Sequence, residues 1–267
     1  MATVVKPAAN MYSAASEEAD VVSQAIYGIT VLILEEKAGW LRIQTPDSYS
    51  GWTPESSLVR VKAGVPVYAS TGRIGEVTSI FANIYREASV TRRQPVLTLP
   101  YEAKLEIIDE VEANQLKWLR VHLPDERTGY VQSGDVSTNQ GLRTAAEAID
   151  LGMQFLGIPY LWGGTSSFGF DCSGLTQMLL RSRGIVLPRD AQQQADSGQL
   201  REVSKAEVQP GDLLYFGASG RKITHTGMYI GDGNFLQATT YQRPVVQIGR
   251  LEEPHWSKLF VAARRPK

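Results

Sequence analysis

The chain has 267 residues, with 27 Lys and Arg against 28 Asp and Glu for a net charge of −1, three histidines, one cysteine and 43% apolar residues. That length implies two or three compact units, and the charge balance leaves no basic field to attract a nucleic-acid backbone. The single cysteine excludes a disulfide framework and any zinc site of several thiolates, and three histidines do not suggest a histidine-rich cage, so neither metal nor cofactor is expected.

At the start, residues 1–7 lack the basic-then-apolar pattern of an export signal, and Pro7 interrupts any such run. The purest apolar stretches, such as residues 31–34, fall far short of the roughly 18 needed to span a membrane. The expectation is a cytoplasmic protein with no membrane segment and no obligatory protein partner. The first half then repeats itself. Trp40, Leu41, Arg42 and Ile43 recur 78 positions later as Trp118, Leu119, Arg120 and Val121; Pro46-Asp47 recurs as Pro124-Asp125, and Gly51-Trp52 as Gly129-Tyr130. Apolar and polar residues alternate before Pro-Asp and Gly punctuate the run, which predicts a strand, a turn and a second strand, half buried. Strand-like runs at 31–34 and 105–108 precede the two copies. Two small all-β barrels follow, over residues 1–62 and 63–138, and the repeated pattern resembles bacterial SH3-like domains.

Near residue 139 the period changes. Leu142, Ala145, Ala146, Ile149, Met153 and Leu156 lie at helical spacing, and Gly157 and Pro159 end the helix. Next come Tyr160-Leu161-Trp162-Gly163-Gly164 and Phe170-Asp171-Cys172-Ser173-Gly174. These glycines weaken helices and strands alike, so they suit a loop whose backbone must approach something closely. A second helix begins about Ser173 and ends at Gly184, which puts Cys172 at its N-terminus. Unpaired N–H groups and the helix dipole there favour a thiolate, lowering the cysteine pKa and suiting it to attack a carbonyl. A lone cysteine is also commonly a packed structural residue. Further on, residues 224–230 alternate as a strand, Gly231-Asp232-Gly233 turns, and residues 234–238 return. Pairing Ile230 with Asn234 makes His225 a diagonal neighbour of Gln237 on one face, where an amide oxygen can fix the imidazole tautomer. Taken singly, each of these residues also has an ordinary structural reading.

Taken in order, Tyr160 to Gly164, Asp171 to Gly174, Pro188 to Ala191, Pro210 to Phe216 and His225 to Gly233 resemble the NlpC-type cysteine peptidases, papain-like bacterial enzymes that cut peptidoglycan stem peptides. The resemblance implies an α+β fold, with a papain-like catalytic domain over residues 139–267 preceded by the two SH3-like barrels. By position it implies Cys172 as nucleophile, His225 as general base and Gln237 in a third place more often held by histidine. It implies Tyr160 as a partner of the oxyanion, Asp171 and Ser173 as substrate contacts, and Asp190 as the carboxylate that meets a free substrate amine. Two barrels before such a domain resemble the γ-D-glutamyl-L-diamino acid endopeptidases of cell-wall recycling. This adds Tyr49 of the first barrel as a substrate contact, leaves Glu17 and Glu18 as undecided candidates, and names the substrate as an L-Ala-γ-D-Glu-diamino acid peptide. An exported hydrolase of intact wall and a non-catalytic wall-binding module are the alternatives.

Overall fold

The computed structural model describes every residue except Asn114 and Gln140, and its contacts divide the chain into two units, Met1–Gln140 and Gly141–Lys267. In the first unit the alternation seen in the sequence becomes two small barrels. Strand Trp40–Gln44 buries Leu41 and Ile43 and exposes Arg42; it pairs with Ser50–Pro54 so that Arg42 faces Trp52. The second copy repeats the register, with Leu116–His122 against Thr128–Gln132 and Arg120 opposite Tyr130. The strands before these hairpins, Thr30–Lys37 and Lys104–Ala113, carry matching irregularities at Ile33/Glu35 and Ile107/Asp109, and a bulge at that point increases twist and helps the sheet curl. Even the tryptophan packing recurs, edge-on between Tyr12 and Trp40 at 5.4 Å and between Tyr85 and Trp118 at 5.7 Å.

The two barrels are fused through their apolar interiors. Val4, Met11, Leu41 and Ile43 lie in the core of the first. The core of the second, around Ile84, Leu105 and Val121, takes in Ile26 and Tyr27 from the first, and Lys104 N–H donates to the Tyr27 carbonyl at 3.1 Å. The connection between the barrels is tied down as well. Tyr68 Oη donates to the His122 carbonyl at 2.7 Å, and Ala69 N–H to Glu106 Oε1 at 2.8 Å.

The second unit is a six-stranded antiparallel sheet in the order Leu200–Val203, Phe260–Pro266, Leu213–Ser219, Lys222–Gly231, Asn234–Thr239, Val245–Arg250. With it go four helices, α1 (Ala145–Gln154), α2 (Cys172–Arg181), α3 (Ala191–Ala195) and α4 (Pro254–Leu259). Helix α1 starts later than the apolar spacing suggests, because Thr144 and Glu147 form a reciprocal capping box that fixes the first turn; Leu142 is left outside it, 76% exposed. Helix α2 is buried from Cys172 to Leu180 and packs on the strands Lys222–Gly231 and Asn234–Thr239. Asp212, in the Pro-Gly-Asp motif, is structural: it accepts two hydrogen bonds at 2.7 Å from Arg265 on the last strand and one at 2.8 Å from Gln209 N–H. Among the described residues no helix is long and apolar enough to cross a membrane.

Candidate active site

Helix α2 owes its start to Asp171. This residue is extended, and its side chain accepts from Gly174 N–H at 2.7 Å, so α2 opens with a capped turn whose first residue is Cys172. The same carboxylate accepts from Gly163 N–H at 3.1 Å and from Ser173 Oγ at 3.3 Å. Arg189 grips both its oxygens, Nη1 to Oδ1 at 3.1 Å and Nη2 to Oδ2 at 2.6 Å, and donates to Ser173 Oγ at 2.9 Å. With Arg189 1% exposed, this is an interior ion pair. Close approach explains the glycines: a Cβ on Gly174 would lie 2.1 Å from the Gly164 carbonyl oxygen, so the helix start rests directly on the preceding turn. Asp171 and Ser173, expected to meet substrate, lie buried beside Cys172, and their internal hydrogen bonds hold the helix that carries it.

The thiol differs from its expected state. Burial, reinforced by the neighbouring Asp171, pushes it up to about 12, against the opposing pull of the Thr226 backbone N–H, Arg189 and the Ser173 backbone N–H. Desolvation in an enclosed site outweighs the helix end. The contact with the Thr226 backbone sets the sulfur beside the residue that follows His225.

His225 lies on the strand Lys222–Gly231, and its Nε2 meets Gln237 Oε1 at 2.6 Å. Since an amide oxygen only accepts, Nε2 carries the hydrogen and Nδ1 is left with the lone pair. The register agrees with the expectation at Met228↔Leu236 and Tyr229↔Phe235; at the turn a bulge sets Gly231, rather than Ile230, opposite Asn234. Gln237 is 1% exposed, and its seat depends on Gly249, where a Cβ would come within 2.4 Å of Gln237 Nε2. Trp256 of α4 stacks on the imidazole with centroids 4.9 Å apart and planes at 25°, and Phe216 lies 5.7 Å away. Burial among these rings pushes the imidazole down to about 4, with the Gln237 hydrogen bond acting in the other direction and His255 adding to the fall. His255 itself stacks on Tyr241 at 3.8 Å.

Tyr160 is half-buried and feels the charges of Cys172 and Asp171; burial first, then those two groups, raise its phenol pKa and keep it a hydroxyl donor. Asp190 is half-buried beside Arg189 and opens α3. Tyr49 belongs to the other unit, where it packs half-buried against the first barrel's core, and Glu17 and Glu18 are exposed there. The structure thus brings Cys172, Tyr160, Asp171 and Ser173 together at the start of α2 and joins His225 to Gln237. Arg189, Gln194 and Trp256 had no assigned part in the sequence reading. Gln194 is fully buried; it donates to the Ser173 and Pro188 carbonyls at 3.0 Å and accepts from Thr176 Oγ1 at 2.9 Å. Among the described residues no three His, Cys, Asp or Glu side chains converge as metal ligands.

Comparison with known proteins bears on this geometry. Residues 157–265 match the NlpC/P60 family model, and residues 11–58 match the model for the bacterial dipeptidyl-peptidase SH3 domain. A γ-D-glutamyl-L-lysine dipeptidyl-peptidase of Bacillus cereus is 32% identical across 91% of this chain and 74% of its own length. The Bacillus subtilis protein of the same name is 30% identical across 91% and 80%. A crystal structure of an NlpC/P60 family protein from Bacillus cereus superposes with a TM-score of 0.83 at 26% identity, covering 99% of each chain.

Proposed function

This chain belongs to the NlpC/P60 family of cysteine peptidases, and on that footing we propose that it hydrolyses the γ-D-glutamyl–L-diamino acid bond of peptidoglycan-derived peptides that begin with a free L-Ala. The observation that carries the reading is the Nε2–Gln237 hydrogen bond, which frees Nδ1 of His225 to act as base for a cysteine at a helix start. Likeness along most of the chain to relatives named γ-D-glutamyl-L-lysine dipeptidyl-peptidase supports the choice of bond.

The resting pair is a thiol and a neutral imidazole, since the one is held near 12 and the other near 4. As Cys172 Sγ attacks the γ-carbonyl of D-Glu, its proton passes to His225 Nδ1, so charge separates only as the bond forms. The oxyanion is met by the first amide of α2, which has no partner within the helix, and by the Tyr160 hydroxyl. His225 then gives its proton to the departing diamino-acid amine. Water, deprotonated by the same imidazole, cleaves the thioester and restores the thiol. Gln237 stays neutral throughout and orients the ring. Asp190 pairs with the ammonium group of L-Ala, and an acylated amine carries no charge with which to make that ion pair. Such selectivity suits a cytoplasmic enzyme of cell-wall recycling, which meets peptides already freed from glycan.

The test is a paired digestion read by mass spectrometry, with L-Ala-γ-D-Glu-L-Lys-D-Ala free in one arm and acylated on L-Ala in the other, alongside the Cys172→Ala chain. Cleavage of the free peptide alone, at the D-Glu–Lys bond and absent from the variant, is the expected result. Equal cleavage of both peptides would move the enzyme to intact wall. No cleavage of these or the diaminopimelate counterparts would refute the peptidase assignment for this bond.

A further inference from the structure

Peptide hydrolysis leaves unused a groove in the second barrel. Two adjoining hollows, of about 450 and about 330 Å³, share Arg86, Val96 and Arg127; Arg93 lines the larger and Leu123 the smaller. All these residues belong to the first unit, outside the catalytic one. One wall is the connection between strands Phe81–Ile84 and Leu97–Pro100, whose sequence from Arg86 to Arg93 holds three arginines against one carboxylate, Glu87, and the other is the hairpin turn that carries Leu123 and Arg127.

This connection is pinned. Tyr85 exchanges backbone hydrogen bonds with Tyr130 at 2.8 Å, Val96 N–H donates to the Ile84 carbonyl at 2.8 Å, and Ser89 is buried within the loop, accepting from Thr91 N–H at 3.4 Å. From the facing hairpin, Arg127 is oriented by Asp125, which accepts from its Nε at 2.8 Å. Glu87 serves Arg92 and Arg93 at 3.5 Å, and Arg86 is exposed and makes no ion pair among the described residues. Among the described residues Arg92 and Arg93 share Glu87, Arg127 pairs with Asp125 and Arg86 pairs with neither, which leaves a surplus of positive charge at a trough lined by Arg86, Arg93 and Arg127 with Val96 and Leu123.

Guanidinium groups match phosphate and carboxylate in a two-pronged geometry, and several of them along one trough match anionic groups repeated along a chain. We propose that this groove is a binding site for an elongated anionic oligomer, bearing phosphate or carboxylate groups at intervals with short apolar links between them. The site is independent of the peptidase reaction and gives the second barrel a ligand of its own.

The test is calorimetric titration of the full chain with two probes, a glycerol-phosphate oligomer and a γ-linked glutamate oligomer, at low and high salt, repeated with Arg86→Gln/Arg93→Gln. Both side chains are exposed, so the double variant is expected to fold and to keep the parent's peptide hydrolysis. Binding of either probe that weakens with salt and falls about tenfold or more in the variant supports the site, and the probe that binds identifies the source as phosphate or carboxylate. Binding by neither probe, binding insensitive to salt, or equal binding by the variant overturns it.

Discussion

Replacing Arg189 with Met removes the cation from a fully enclosed pair while keeping much of the side-chain volume. The Asp171 carboxylate would then keep the donors Gly163 N–H, Gly174 N–H and Ser173 Oγ and lose both guanidinium bonds. Breaking a buried ion pair from one side costs about 3–5 kcal/mol, because the remaining charge stays buried. Three surviving donors hold the cost to the lower end, about 3 kcal/mol, which at about 1.4 kcal/mol per tenfold corresponds to roughly 100-fold faster opening. Hydrogen exchange of peptides covering residues 172–181, followed by mass spectrometry on the full chain, reads this opening at α2 itself. The double change Asp171→Asn/Arg189→Met should recover part of the loss, since it removes the orphaned charge and keeps an acceptor for the helix cap. Peptidase kcat/KM should fall in the single variant as well, because Arg189 opposes the effect of Asp171 on the thiol. Exchange within tenfold of the parent, or a double variant no slower than the single one, would refute the assignment of Asp171–Arg189 as the anchor of the helix start.

Gly249→Ala should push the Gln237 amide off the imidazole and lower kcat/KM toward the level of Gln237→Ala, about 10- to 100-fold for a buried donor left unpaired, with KM little changed; steady-state kinetics of the two variants side by side checks this. His225 sets a pH dependence. Its folded pKa of about 4 lies below the ordinary value of 6.5, so the unfolded chain takes up the proton first, and stability that is complete above about pH 6.5 declines as pH falls toward 4. Urea denaturation across that window should show a slope that flattens in His225→Asn, and the acid limb of kcat/KM should lie below that of an ordinary histidine. Tyr27→Ala should cost about 3 kcal/mol or more, the usual loss for a buried aromatic, seen as a fall in the denaturation midpoint of the first unit.

Local periodicity and turn chemistry made part of this molecule legible. The repeat from Trp40 and Trp118 gave both hairpins, and the Gly-Asp-Gly turn gave the pairing that joins His225 to Gln237, because strand alternation and turns are properties of adjacent residues. Other features depend on groups distant in the chain. Arg189 lies 18 residues beyond Asp171, with no spacing to connect them. Trp256 reaches the strand residue His225 from helix α4, and burial among rings, which decides the imidazole's proton affinity, has no signature in the order of residues. The thiol follows the same division: the helix end can be read from the sequence, whereas the enclosure that outweighs it is made by tertiary packing.

Tyr27 and Ile26 carry a consequence for how this architecture can be inherited. Each half of the repeat looks like a cassette, yet a gene cut between the halves would strand an aromatic and an aliphatic side chain in water on one product and leave a hole in the interior of the other. Recombination that swapped one copy would have to carry a matched plug and socket with it. The transferable part is thus the doublet, and a sequence change that enlarges Tyr27 or narrows its socket should be answered by a compensating change across the junction.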